Sequence, residues 1–467
     1  MNIKLFPLYL LFILCSAKAF SQLTKSEEEL IAPSLSMSHD LDYSLELNLK
    51  GLGGTREQLP FWLYHNQRGR ISENTYGSAW VSGKKALFFS RNSYLIIGAG
   101  ILYDQGSDKG VQIDELFAHY QNSWMFATLG RKQQKEYYNG LSSTNNSIFW
   151  SLNARPMPGI RIGTTKPLFF SGNEGFGAEG SWNEYLMGND RFVKGAKTHY
   201  KELRLVYRKG SWEVKGGLQH IVQWSGNSPR HGDLHGGFED YLRVIFGLEG
   251  TEYTEGEINT VLGNVLGGYE AYVSKEFRDF KLQFIYNHLF EDASGQRLGN
   301  TPDGRYGLYY ENNEKERLIN SVIYEFYYTE HQSHTTTGVH KYDRYFSHGL
   351  YRSGWTYEGR VIGSPFFTPD PGGEGFLNNK FKAHHLGIGG EWPNLIHTIP
   401  YKLLLSYARN DGTYALRYRP KQNVYSGLLD VGLLRTSIDL NVQAGIELNN
   451  TASPKFGAGL HLVYKLL

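Results

Sequence analysis

The chain has 467 residues, with 48 Lys and Arg against 46 Asp and Glu. Two of those lysines, Lys4 and Lys18, fall in an N-terminal export segment, so the exported chain is formally neutral and no global charge favours nucleic acid. The single cysteine, Cys15, lies in the same segment, which excludes disulfides, thiolate chemistry and Cys-ligated metals from the mature protein.

Residues 1–21 read as a secretory signal peptide: Lys4, an apolar run over 5–14 too short to span a bilayer as a helix, then small Ala19 and Ser21 before the cut. Leu14 is too bulky for the position before a lipidated cysteine. Residues 22–40 are expected to form a short periplasmic segment with one short helix around 25–31. From 41 to 467 there is no linker or compositional step, and one barrel domain is expected.

Within that domain apolar and polar residues alternate. Leu41, Tyr43, Leu45, Leu47 and Leu49 interleave with Asp42, Ser44, Glu46, Asn48 and Lys50, and 212–219, 280–287, 434–448 and 456–466 repeat the pattern. Period two puts successive side chains on opposite faces of a strand. The stretch 434–448 reads as one unusually long strand. Further strands are expected near 75–90, 93–103, 111–120, 123–130, 158–170, 202–209, 241–249, 267–276, 318–328, 355–363, 383–391 and 401–409. Aromatic residues make up 15% of the chain, and no later segment supplies the apolar run of a membrane helix. An exported, aromatic-rich chain of alternating strands points to a closed all-β, antiparallel transmembrane barrel. At about 25 residues per strand with its share of loops, of which the tilted strand itself takes about 10, its length suits roughly 16 to 18 strands. Tyr269, Tyr272, Tyr401, Tyr407 and Tyr464 are expected in aromatic girdles. A secreted sandwich or propeller also alternates and is the soluble alternative. The reversal YRKGSW at 207–212 is expected at the periplasmic end, and the long Gly-rich stretches 222–240, 289–316, 329–354 and 364–382 outside.

Chemistry is sparse. His331, His334, His340 and His348 share one expected loop with Glu330 and Asp343, at spacings that match no metal motif, so neither a metal nor another cofactor is expected. His384 and His385 are strand neighbours and point to opposite faces. No G-x-S-x-G, H-E-x-x-H or P-loop pattern occurs, and no enzymatic conversion is expected. A polar, aromatic surface remains. Trp224 with Asn227, Arg230, His231 and Asp233 supplies in one loop the ring, amide, fork and carboxylate that bind sugars, although Trp224 serves equally well as a loop anchor.

Three further stretches belong together. SLNARPMPGIRIG, with Asn153, Arg155, Pro156, Pro158 and Gly159, resembles the Asn-x-Arg-Pro-x-Pro-Gly signature of the Wzi family of outer-membrane capsule assembly proteins. GGFEDYLRVIFG, with Phe238, Glu239, Asp240 and Arg243, and YRSGWTYEGRVIGSPF, with Arg352, Gly354, Trp355, Glu358 and Gly359, resemble segments of the same family, as does LPFWLYHNQRGRI at 59–71. The resemblance implies an 18-stranded barrel in the bacterial outer membrane, acting as a monomeric surface lectin that retains capsular polysaccharide, with helical material closing the periplasmic end. Tyr137 and Tyr138 stand where the family has a Trp-Trp pair, and 22–40 is too short for a helical bundle, so part of any plug should come from insertions such as 171–200. These motif residues are expected to be architectural: Arg155 held in the lumen by Glu239, Asp240 or Glu358, RPMPG leading into a strand or bending inward, and glycines fitting around Trp355. A porin or transporter channel is the competing reading.

Overall fold

The computed structural model describes residues 43–248, 262–291, 293–335, 342–393 and 398–466. The expected signal peptide, the 22–40 segment with its helix and His340 lie outside the described residues.

Eighteen strand positions, all paired antiparallel, close into one barrel, with Leu168–Phe169 prolonging Gly159–Thr164 along the same neighbour. The first strand, Tyr43–Gly54, pairs with Gly77–Ser90 on one side and with the last, Ala452–Lys465, on the other, so the sheet has no free edge. Alternation makes the wall two-faced. Leu203, Leu205, Leu218, Ile446 and Leu448 are exposed on the outside, while Arg204, Gln219, Glu270, Arg305, Glu325 and Gln443 are buried inside. No helix among the described residues is long and apolar enough to cross a membrane, which leaves crossing to the strands.

Several expectations change. The 434–448 strand is two: Arg417–Arg435 ends, the chain reverses at Thr436 and Ser437, and Ile438–Asn449 returns. Leu434 pairs with Leu440 across this turn, so in/out parity continues through it and the period-two pattern conceals the break. Residues 241–249 are not a strand, because helix α1 spans Phe238–Phe246. Residues 355–363 form only a small internal hairpin, Thr356–Tyr357 with Arg360–Val361. Strands Gly175–Leu186 and Gly304–Asn312 run through stretches expected as insertion and loop. Tyr272 is buried inside, bonded to Glu270.

Short reversals such as 210–211 and 436–437 cluster at one end, which is the periplasmic end of an outer-membrane barrel. The long connections 55–76, 132–158, 225–263 and 329–380 leave from the other.

Candidate functional site

Three of those long connections turn back into the barrel. Trp62 and Leu63 from the short helix Phe61–Tyr64, Leu141, Phe149 and Trp150 from 132–158, and Tyr345, Phe346, Trp355, Phe366 and Phe367 from 342–380 form one buried apolar cluster. It reaches the wall at Leu52, Ile221, Leu266, Ile285, Ile323, Ala383, Leu404 and Leu428, and so fills much of the cross-section. The plug therefore enters from the long-loop end. Of the 171–200 stretch, the connection 187–196 contributes Met187, Val193 and Ala196, and the flanking wall strands contribute Tyr185 and Tyr200.

Several buried polar groups in this plug find partners across long sequence separations. The Trp355 indole donates to the Phe149 carbonyl at 2.8 Å. Asn153 donates to the Val361 carbonyl at 3.0 Å, and Ser151 to the Gly363 carbonyl at 2.7 Å. Arg305 and Glu325, both fully buried, pair at 2.7 Å, and Glu325 also accepts from Ser142 and Ser143. A buried ion pair is tolerable only when its remaining hydrogen bonds are completed in this way. Of the three carboxylates considered for Arg155, Glu358 is the partner, at 3.0 Å. Pro156 and Pro158 precede the strand that starts at Gly159, where a Cβ would strike the Glu184 carbonyl. Gly354 has φ +60° and lies so close to the Phe346 carbonyl that no other residue fits, and Gly359 is left-handed at φ +75°. Arg352 caps the region, paired with Glu374 at 2.6 Å.

Beside the plug the lumen is not filled. A cleft of about 540 Å³ remains between the infolded loops and one arc of the wall. Its loop side is aromatic: Phe61 stacks on His65 at 4.0 Å and on Phe366 at 5.8 Å, and Tyr64 lies beneath the Arg360 guanidinium. Its wall side carries Asn410, Gln422, Ser426, Glu447 and Asn449, inward positions of three successive strands. Glu447 accepts the Phe61 backbone N–H at 3.0 Å, and Asn410 donates to Gln422 at 2.9 Å. Burial and the neighbouring Arg360 push the His65 imidazole down to about 3, so it is a neutral ring at physiological pH. Glu73, held by Lys455 at 2.7 Å, and Asp370 complete the set. Rings, planar amides, a carboxylate and a guanidinium around one open cleft suit a polyhydroxylated ligand, which offers C–H faces to rings and hydroxyls to amides.

The loop residues singled out from sequence lie elsewhere, on the hairpin Gly226–Ser228 with Gly232–Leu234. Trp224 is buried, with Tyr241 stacked on it at 5.4 Å and the Lys197 ammonium over it at 4.8 Å. Asn227 donates to Asp233 at 2.6 Å across the hairpin, and Arg230 and His231 are exposed. Phe238, Glu239, Asp240 and Arg243 lie on α1 outside the lumen, with Glu239 paired to Arg243 at 2.9 Å and not to Arg155. His334 stacks on Tyr414, whereas His348 accepts from the Leu350 and Tyr351 N–H groups, so the two serve separate contacts. Among the described residues no three His, Cys, Asp or Glu side chains converge on a metal position. His385 is buried against Ser406 and the Leu141 carbonyl while His384 faces out to Tyr324.

Of the cleft lining, Asn153, Glu358 and Gly359 are among the motif residues; the rings and wall amides were not singled out, although several of their segments were. Phe61, Tyr64 and His65 come from the 59–71 stretch, and Arg360 and Phe366 from the 351–366 stretch.

A closed barrel with an apolar outer wall has one compatible solvent. The protein is a bacterial outer-membrane barrel. Among solved structures, it is similar to Wzi of Escherichia coli, an outer-membrane protein involved in group 1 capsule assembly and a carbohydrate-binding β-barrel. That likeness has a TM-score of 0.59 at 13% identity, over 91% of this chain and 84% of that one. OprD of Pseudomonas aeruginosa aligns more loosely, at a TM-score of 0.47 and 8% identity over 92% and 96%. OccAB4 of Acinetobacter baumannii gives 0.46 and 10% over 91% and 98%. No protein-family model and no curated protein matches the chain.

Proposed function

We propose that this protein binds a surface polysaccharide without converting it and supports the assembly or retention of a capsule at the outer membrane. The observation that carries this reading is the cleft bounded by Tyr64, His65, Arg360, Gln422 and Asn449 beside a lumen filled by buried aromatic side chains. Sugar-binding chemistry is present, and the plug opposes free passage. The likeness in fold to a carbohydrate-binding barrel supports the same reading. Arg230, His231, Asn227 and Asp233 on the hairpin carried by Trp224 form a second zone of contact for a long polymer. Because the site mixes Arg360 with Glu73 and Asp370, the proposed ligand is a neutral or mildly acidic glycan.

The test is the ratio of cell-bound to released polysaccharide in cells with and without the gene, normalised to total polymer. Retention predicts a shift from cells to medium at constant total. An unchanged ratio in a polymer-producing cell refutes it. The alternative, a porin or transporter channel, predicts ion conductance of the purified protein in planar bilayers, where the plugged lectin is nearly silent.

A further inference from the structure

Helix α1 has two apolar faces. On one, Tyr241 stacks on Trp224 and its hydroxyl donates to Glu184 at 2.5 Å, while Val244 is fully buried in a small cluster with Val222 and Trp224. Those wall residues belong to the outward set. Along Trp212–Trp224 they share parity with exposed Trp212, Val214 and Leu218, so the helix lies on the outside of the barrel, toward its long-loop end.

Beneath the helix the outer wall breaks its own rule. Glu184, His199, Lys201 and His220 occupy outward positions of three adjacent strands, where lipid would otherwise meet them. Glu184 pairs with His199 at 2.6 Å, and the Lys201 ammonium donates to the Ile245 carbonyl of the helix. Polar groups facing hydrocarbon are costly unless covered and partnered; α1 covers the cluster and partners Glu184 and Lys201.

Among the described residues, nothing covers the other face of α1. Phe238 is 76% exposed and Phe246 71%, with Leu242 and Leu248 beside them. One step toward the membrane the exposed wall continues as Trp182, Leu203, Leu205 and Leu218. We infer that α1 is an interfacial helix seated in the outer leaflet, with Phe238, Leu242 and Phe246 among lipid acyl chains and its body roofing the Glu184, His199, Lys201 and His220 cluster. The occupant is bilayer lipid because the face is continuous with the lipid-facing belt and parallels the usual plan of an interfacial helix, one side oily and the headgroup side charged through Glu239 and Arg243.

The mature chain is expected to lack cysteine, so single probes are clean. Phe246→Cys, labelled with an environment-sensitive fluorophore and reconstituted in phosphatidylcholine vesicles without polysaccharide, should be quenched severalfold more by lipid brominated near the headgroup than by aqueous iodide. Leu203→Cys marks the belt and His231→Cys the exposed hairpin. Phe238→Cys provides the same reading should the first variant fold poorly. A probe at 246 that behaves like the one at 231, or an interchain disulfide through Phe246→Cys in the bilayer, overturns the inference, the second by assigning the face to another copy of this chain.

Discussion

The two arcs of the lumen wall begin with the same chemistry and end differently. On strands Gly304–Asn312 and Ser321–Tyr328, inward Arg305 and Glu325 are saturated by each other and by Ser142 and Ser143 of an infolded loop. On strands Arg417–Arg435 and Ile438–Asn449, inward Gln422 and Asn449 face an open cleft, with Asn410 of the wall and Thr451 of the adjoining turn as their partners. A polar side chain inside a barrel is structural where a loop completes its hydrogen bonds and available where none does. Position on the strand does not distinguish the two cases.

The largest effects are expected on the saturated side. Glu325→Ala strands the buried Arg305 charge and should cost about 3–5 kcal/mol, read from the unfolding midpoint in denaturant by the mobility shift of the folded barrel. Trp355→Ala removes a fully buried ring and orphans the Phe149 carbonyl, for a similar loss of about 3–5 kcal/mol. It should also raise bilayer conductance, and a stable, silent Trp355→Ala would show that the ring does not hold the plug.

On the open side the expectation reverses. Gln422→Ala with Asn449→Ala should lower stability by only about 1 kcal/mol, the cost of leaving the Asn410 amide without its Gln422 acceptor. Loss of two hydrogen-bonding amides, each about 0.5–1.5 kcal/mol, should weaken polysaccharide binding by tenfold or more in a pull-down titration. A destabilised variant with unchanged binding would erase the contrast between the arcs.

The smallest effect is pH-dependent. His348 accepts two backbone N–H groups at Nδ1, and burial, with Arg344 nearby, lowers its pKa to about 4. The unfolded chain takes up this proton near the ordinary value of about 6.5, whereas the folded protein does so only near 4. Stability is thus fully present above 6.5 and declines as pH falls through that window. His348→Gln should flatten this part of the profile, and an unaltered profile would place the acid sensitivity elsewhere.

Legibility in the sequence followed the range of the physics. Alternation is readable within about 10 residues, so most of the wall could be traced from it. It failed where parity ran through the turn at Thr436 and Ser437, and where Gly-rich GFGAEGSWNEYL concealed a strand. Residues 241–249 are rich in β-branched and aromatic side chains because α1 is apolar on two sides, and that composition resembles a strand. Trp355, Gly354 and Arg155 were legible as architecture. Glu358 was among the partners expected for Arg155, but the partner of Trp355 and the cleft were not legible, since Phe61 meets Glu447 and Trp355 meets Phe149 across hundreds of residues.

By itself, then, the sequence determined an exported barrel with an oily outer face and a polar inner one, because the two-residue period is a property of the backbone. Tertiary structure alone decided which loops fold inward, which inner side chains are left facing a cleft, and which outer ones lie under a helix. Those outcomes depend on which distant segment arrives to satisfy each polar group, and no local pattern records that arrival.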